Sequence, residues 1–212
     1  MSTQTPTTAS NADRVRRGPK PKPDTRENLI RAGTRLLHQT GYSATGVKDI
    51  VDAAKVPKGS FYNHFTSKEA FGAEVVDFYF GRGLPVMREM LGDVGVPPLD
   101  RLKTYFDQRV QWFAASGFVR GCLMGNLSLE VADQSALIRE RLATHFQVWS
   151  QLFEDCIAQA QAAGSVRNAL PAPLLAQYLL DSWEGALLRM RVEKSIAPLE
   201  RFVAVTFKSL LV

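Results

Sequence analysis

The sequence is poor in the residues that build disulfide frameworks and metal sites. Its 212 residues include two cysteines and three histidines, all widely spaced. Cys122 and Cys156 are too few for a disulfide framework in a chain of this size. The histidines do not fit metal-binding patterns such as H-E-x-x-H. We therefore expect no metal, no cofactor and a reducing, cytoplasmic location.

Long apolar runs and strand patterns are also missing. No segment approaches the roughly 18 uninterrupted apolar residues that a membrane-spanning helix needs. Residues 1–11 are polar and lack the apolar stretch of a secretory signal. No segment keeps the alternating polarity of a β-strand, so the predicted fold class is all-α. We expect no membrane partner.

Catalytic motifs are equally scarce. The sequence has no nucleophile elbow and no phosphate-binding loop, because Gly81-Arg82-Gly83 is too short to form one. Ser60 and His64 are four residues apart on a predicted helix, which is weak evidence for chemistry. A small helical enzyme is therefore the least favoured interpretation, and we expect no enzymatic activity.

Positive charge is concentrated at one end of the chain. Residues 1–68 contain 12 Lys and Arg against 5 Asp and Glu, whereas the remaining residues contain 14 against 16. A basic module on a nearly neutral body suggests a polyanionic partner at that end. A basic tail that only improves solubility fits the charge count equally well.

Helical periodicity and Gly/Pro punctuation predict a disordered basic arm at 1–23 followed by about nine helices. Asp24 and Glu27 resemble a capping box that opens the first helix, which ends at Gly41. Thr45 and Ser67 are predicted caps of the second and fourth helices. The third helix runs from Lys58 to about Phe65, and the later helices are predicted at 67–91, 99–116, 123–132, 135–163, 172–193 and 198–211.

The second and third predicted helices are short and joined by a tight turn. This arrangement, after a longer support helix, is typical of a helix-turn-helix that places its second helix in the major groove. The residues predicted to face outward on that helix are of hydrogen-bonding types. We predict a DNA-binding domain at 24–68 and an effector-binding and dimerisation domain at 69–212.

The segments 41–50 and 53–69 resemble the signature of the TetR family of bacterial regulators. The resemblance implies that the helix-turn-helix binds double-stranded operator DNA, while the helical body binds a small effector and forms a homodimer. When the family signature is matched to this sequence position by position, the resemblance assigns contacts with the DNA backbone, its phosphates and the base edges. The residues are Thr45, Lys48, Lys58, Gly59, Ser60, Tyr62, Asn63, His64 and Lys68.

Some of these DNA assignments leave alternatives open. Tyr62 also fits a half-buried supporting role, and His64 also fits a cap or an internal hydrogen-bonding group. The basic arm between Arg14 and Lys22 fits insertion into a minor groove, and it fits a solvated tail as well.

The predicted helices at 172–193 and 198–211 carry unusually wide apolar faces. Wide faces indicate burial on two sides, either against a second copy or deep in a monomer. The family resemblance implies that these helices form a four-helix dimer interface. A two-fold dimer requires a roughly palindromic operator.

The segments 117–130 and 182–186 resemble a TetR subgroup that includes acrylate-responsive regulators and the repressor of N-ethylmaleimide reductase. That resemblance implies a sensor role for Cys122, whose thiol we expect to have a lowered pKa at a helix start beside Arg120. A buried, inert cysteine is the alternative. The predicted effector-site residues are Trp112, Cys122, Asn126, Glu130, Trp149 and Trp183.

Together these features predict a ligand-responsive transcriptional regulator. We expect a repressor that an unsaturated carboxylate or an electrophile releases from DNA, through a shift of the helix at 67–91 that changes the separation of the recognition helices. The main alternative is a nonspecific or architectural DNA-binding protein, which would share the basic end but would not need the aromatic body.

Overall fold

A computed structural model describes residues 24–212, so the predicted basic arm at 1–23 lies outside the described residues. Within them the chain forms nine α-helices and a closing π-helical turn, with no strand. No described helix is both long and apolar enough to cross a membrane. The helices are α1 Thr25–Thr40, α2 Val47–Ala54, α3 Lys58–Tyr62, α4 Lys68–Gly92, α5 Pro98–Ala115, α6 Leu123–Val131, α7 Ala136–Ala162, α8 Ala172–Glu193 and α9 Ala197–Val205, and the turn is Thr206–Leu210.

The predicted all-α fold is confirmed, and two of its capping details are wrong. Asp24 makes no side-chain cap, because its backbone is already helical. Glu27 instead accepts hydrogen bonds from Arg31 one turn along. Thr45 does not cap α2, where Gly46 occupies that position. Ser67 does cap α4, because its hydroxyl accepts a hydrogen bond from the Ala70 amide at 3.0 Å.

An aromatic cluster holds the first three helices against the start of α4. The ring centroids of Phe61, Phe65 and Phe71 lie 4.9–5.2 Å apart, and all three side chains are buried. Leu29 from α1 and Ile50 from α2 complete this core. Full burial of each such side chain contributes about 1.5–3 kcal/mol to the free energy of folding. These contacts therefore hold α1, α2 and α3 together as one unit.

The larger body is a helical bundle built around α4, α5, α7 and α8. Helix α4 packs against α7 in the body and also against α1, so it connects the two parts of the molecule. In the centre of the body, the ring of Phe106 contacts the rings of Phe153, Trp183 and Phe202 at centroid distances of 4.9–5.2 Å. The two cores are therefore joined by one continuous helix.

Gly33 lies where α1 approaches the aromatic cluster most closely. A Cβ at this position would overlap Cζ of Phe71, whereas a Cβ at Gly59 in α3 would have no atom within 4 Å. The small residue in α1 is thus required by packing and not by backbone geometry.

We predict that Gly33→Ala destabilises the protein and that Gly59→Ala does not. The added methyl group at position 33 forces the Phe71 ring to move, which costs about 1–3 kcal/mol. At position 59 the methyl group enters open space, and the higher helix propensity of Ala favours folding by up to about 1 kcal/mol. Urea unfolding measures both changes. Equal stability of the two variants would contradict this description of the core.

Candidate DNA-binding surface and effector cavity

Local backbone features set the angle between α2 and α3. Asp49 accepts a hydrogen bond from the Gly46 amide at 2.7 Å and closes the first turn of α2. Lys55 ends α2 in the left-handed conformation at φ 56°, and its amide bonds back to α2. Pro57, in an extended conformation, begins α3. The chain therefore turns within three residues, which keeps the two short helices in contact.

Helix α3 buries one side and presents the other to solvent. Phe61 is fully buried, whereas Lys58, Gly59 and Asn63 are exposed and Ser60 is partly exposed. Tyr62 is 56% exposed, and its ring lies nearly perpendicular to that of Phe61 at a centroid distance of 5.3 Å. The exposed face combines a cation, hydroxyl groups and an amide, which are groups that contact phosphates and base edges.

Three other residues predicted to contact DNA differ in how far they reach the surface. Lys48 is exposed and pairs with Asp52 at 3.2 Å. Thr45 is 1% exposed and donates a hydrogen bond to the Gly41 carbonyl, so its side chain does not reach the surface. His64 is partly buried, and its Nε2 has no hydrogen-bond partner among residues 24–212. For Thr45 the burial corrects the predicted contact with the DNA backbone.

Lys68 and Glu130 lie at the contact between the helix-turn-helix and the body. Glu130 accepts hydrogen bonds from the amides of Tyr42 and Ser43 at 2.8 and 2.6 Å. Lys68 donates to the Tyr42 carbonyl at 2.7 Å, and its Nζ lies 4.3 Å from the centroid of the Tyr42 ring. The predicted place of Glu130 in an effector pocket is therefore wrong, and Lys68 is turned towards the protein.

The electrostatics of this contact favour an ionised Glu130. Burial alone would raise the pKa of the carboxyl group, but the hydrogen bonds from the Ser43 and Tyr42 amides outweigh that effect and hold the pKa below its ordinary value. Nearby Lys68 acts in the same direction. The negative charge of Glu130 is thus part of the contact.

An inner cavity of about 410 Å³ lies between α4, α5, α7 and α8. Its size falls within the usual range for small-ligand sites. The three tryptophans of the chain, Trp112, Trp149 and Trp183, all line it, together with Cys122. Here the structure brings together four of the six residues predicted for the effector site.

Two nitrogen donors face this aromatic cavity without a conventional partner. The Arg109 guanidinium lies 6.0 and 5.9 Å from the ring centroids of Tyr105 and Trp112, and no carboxylate of residues 24–212 forms an ion pair with it. Trp149 is 8% exposed, and its indole N–H makes no hydrogen bond of normal geometry in the described chain, although it lies close enough to the Tyr105 hydroxyl to oppose the rise of that group's pKa. An unpartnered buried donor costs about 1–3 kcal/mol, and an anionic ligand would remove that cost.

An outer cavity of about 840 Å³ lies between α6 and α8 and is the site of the fifth predicted residue, Asn126. The Asn126 side-chain oxygen accepts a hydrogen bond from Arg191 at 3.1 Å. The apolar side chains of Leu129 and Val192 at its rim are 78% and 75% exposed. Its lining is mostly aliphatic and polar, whereas the lining of the inner cavity is rich in aromatic rings.

Cys122 lines both cavities and is itself buried. Burial raises the pKa of its thiol well above the ordinary value, and the charge of Glu184 raises it further. Burial also raises the pKa of Glu184 to about 7. The prediction of a lowered thiol pKa beside Arg120 is therefore wrong, because removal from water outweighs any benefit from the helix start.

Arg109 is not among the residues that the sequence predicted for the effector site. Its position offers a signal, since it follows Tyr105 by four residues and precedes Trp112 by three on α5, which places all three on one helix face. Tyr79, whose hydroxyl oxygen accepts a long hydrogen bond from the Leu123 amide at 3.4 Å, was missed. No local pattern distinguishes it from an ordinary core residue.

Two family descriptions match the chain. Residues 29–75 match the bacterial regulatory proteins of the tetR family, and residues 98–206 match the tetracyclin repressor-like C-terminal domain. The first match contains α2 and α3, and the second contains most of the body.

Individual relatives cover nearly the whole chain. The HTH-type transcriptional repressor DhaR of Mycobacterium sp. (strain GP1) is 42% identical over 88% of this chain and 92% of its own length. The transcriptional regulator AcuR of Cereibacter sphaeroides is 36% identical over 93% of this chain and 92% of its own length. The structure of the reduced form of E. coli NemR, 31% identical, superposes with a TM-score of 0.80 over 87% of this chain and 97% of that one. The chain belongs to the TetR family of DNA-binding transcriptional regulators.

Proposed function

We propose that this regulator is a homodimeric repressor that a small carboxylate releases from a palindromic operator. The observation that carries the proposal is the pair of unpartnered donors, Arg109 and Trp149, in an aromatic cavity of a DNA-binding protein. The relatives DhaR and NemR are named as repressors, which supports the direction of regulation.

In the proposed DNA complex, the exposed face of α3 enters the major groove. Lys58 stands at the first position of α3 with its side chain in solvent, where it can reach a phosphate. Tyr62 and Asn63, at the other end of α3, are exposed on the same short helix and supply hydrogen-bonding groups. A phosphate contact contributes affinity for every sequence, whereas base-edge contacts discriminate among sequences.

We predict that Lys58→Ala weakens binding of a specific duplex and of random DNA to a similar extent. Loss of one phosphate contact reduces the slope of log affinity against log salt concentration by about 1. Fluorescence anisotropy with a duplex selected from a random pool measures this. Arg88→Ala, which removes an exposed positive charge from α4, is the control and leaves the slope unchanged.

A wild-type protein with equal affinity for all duplexes at every salt concentration would contradict specific operator recognition. That result would favour the alternative of a nonspecific DNA-binding protein.

In the proposed homodimer, the exposed apolar side chains of α8 pack against a second copy of the chain. Leu174, Tyr178, Leu188 and Val192 are 49–75% exposed and fall on one side of the helix. Val205 on the neighbouring α9 is 58% exposed. Exposed apolar side chains on both carboxyl-terminal helices fit a self-complementary interface about a two-fold axis.

We predict that Leu188→Glu shifts the protein from dimer to monomer, because a buried, unpaired carboxylate opposes association. Val94→Glu is the matched control, since Val94 is 90% exposed in the loop after α4 and the same charge there leaves association unchanged. Sedimentation equilibrium measures the mass of each variant. A monomeric wild-type protein at micromolar concentration would refute the proposed interface.

In the proposed effector complex, the carboxylate of the effector binds Arg109 and the indole N–H of Trp149. The apolar part of the effector contacts the surrounding aromatic rings. The cavity of about 410 Å³ suits a small molecule. An electrophile that modifies Cys122 is less favoured, because the buried thiol is held in its protonated, less nucleophilic form.

We predict that Trp149→Phe weakens carboxylate binding by about 10–100-fold, because it removes one hydrogen bond to a charged group and keeps an aromatic ring in place. Thermal shift followed by calorimetry, with acrylate, crotonate and benzoate as probes, measures the effect. Cys122→Ser should bind the same carboxylates as wild type. Equally tight binding of acrylamide, which is neutral, would contradict recognition of a negative charge.

A further inference from the structure

Helix α6 makes two kinds of contact along its nine residues. Its N-terminal end borders the inner cavity through Cys122, the residue before the helix, and Met124, while residues between Gly125 and Leu129 border the outer cavity. Its last turn carries Glu130, which holds the loop that follows α1. The inner-cavity contact at Cys122 and the loop contact at Glu130 are about two helical turns apart on this element.

The contact at Glu130 is shaped for the backbone of that loop. Each carboxylate oxygen accepts a hydrogen bond from a different amide, Oε2 from Tyr42 and Oε1 from Ser43. Gly41 has φ 89°, and a Cβ there would lie 2.9 Å from Oε2 of Glu130. The turn therefore favours glycine both because its φ is positive and because the Glu130 carboxylate leaves no room for a Cβ.

Lys68 completes the contact from the opposite side. Its ammonium group donates to the carbonyl of Tyr42, whose amide is bound to Glu130, so charged side chains hold both polar groups of one residue. The loop at 41–43 leads directly into α2, and Lys68 is the first residue of α4. The contacts of Glu130 and Lys68 with this loop, called the clamp below, therefore connect α6 to the helix-turn-helix and to α4, the helix that joins the helix-turn-helix to the body.

We infer that Glu130 is a positioning residue, which fixes the helix-turn-helix relative to the body and transmits the state of the inner cavity to it through α6. The inference rests on the proposed function, in which DNA and an effector bind at opposite ends of this path. Two further links at the ends of α6 run alongside it: His38 of α1 lies 2.8 Å from the Gly121 carbonyl, and Ser135 contacts Glu69 of α4. Neither of these places a carboxylate against backbone amides.

The first test uses hydrogen exchange in the full chain without DNA or effector. Glu130→Gln keeps the size of the side chain but removes its charge and places an amide N–H₂ group against one of the two loop amides. We expect the Tyr42 and Ser43 amides to exchange roughly tenfold faster or more in this variant. Glu140→Gln, an exposed glutamate of α7, is the control and leaves their exchange unchanged. Unchanged exchange in Glu130→Gln would overturn the inference.

The second test uses the three tryptophans as reporters, because all of them line the inner cavity. A duplex selected by the wild-type protein is added while DNA anisotropy and tryptophan emission are recorded together. In wild type and Glu140→Gln, we expect duplex binding to change the emission. In Glu130→Gln we expect binding to persist and the emission change to fall to less than half.

The outcomes separate the clamp from the proposed function. A wild-type protein that binds its duplex with no change in emission, or a Glu130→Gln variant with the full change, would refute transmission through Glu130. A wild-type protein that selects no duplex would refute the proposed function, and the exchange experiment then decides the clamp alone. A circular dichroism spectrum and a thermal midpoint close to wild type confirm that Glu130→Gln is folded.

Discussion

A helix of five residues does not persist alone in water, so the DNA-facing helix α3 depends on the burial of Phe61. That ring is fully buried among Phe65, Phe71 and the apolar faces of α1 and α2. With this anchor in place, the remaining side chains of α3 are free to be polar and exposed. The same packing explains why Gly33 must be small, since the Phe71 ring occupies the space of its Cβ. Recognition of DNA is thus made possible by apolar contacts that never touch it.

The body uses aromatic burial in a different way, because its packing stops short of filling the centre. Phe106, Phe153 and Trp183 form a dense cluster, while Trp112 and Trp149 leave space beside the Arg109 guanidinium. A protein core selected only for stability would fill that space or pair the indole N–H. A cavity with such donors is instead what the proposed carboxylate site requires.

Much of this architecture was predictable, because local signals mark where helices begin and end. Ser67 caps α4, Gly41 closes α1, and most predicted helices agree with those observed. The exceptions are α3, which ends at Tyr62 and not near Phe65, and the last helix, which ends at Val205 and continues as a π-helical turn. The partners of individual polar residues were not predictable, since they come from contacts distant in sequence. Glu130 binds amides 87 and 88 residues away, and nothing in its neighbourhood indicates them. Burial of Thr45 and the raised pKa of Cys122 were missed for the same reason, as both depend on how whole helices pack.

The position of α6 gives a physical route for regulation. For one ligand to alter the affinity for another, both must favour different arrangements of a shared element, and the effect is reciprocal. Helix α6 borders both cavities and grips the loop before α2, so a displacement at Met124 or Cys122 also moves Glu130. A charged, two-point contact is well suited to this role, because it loses strength quickly when its geometry is disturbed. An apolar contact at the same place would slide and absorb the displacement, and the two ends of the molecule would then respond independently.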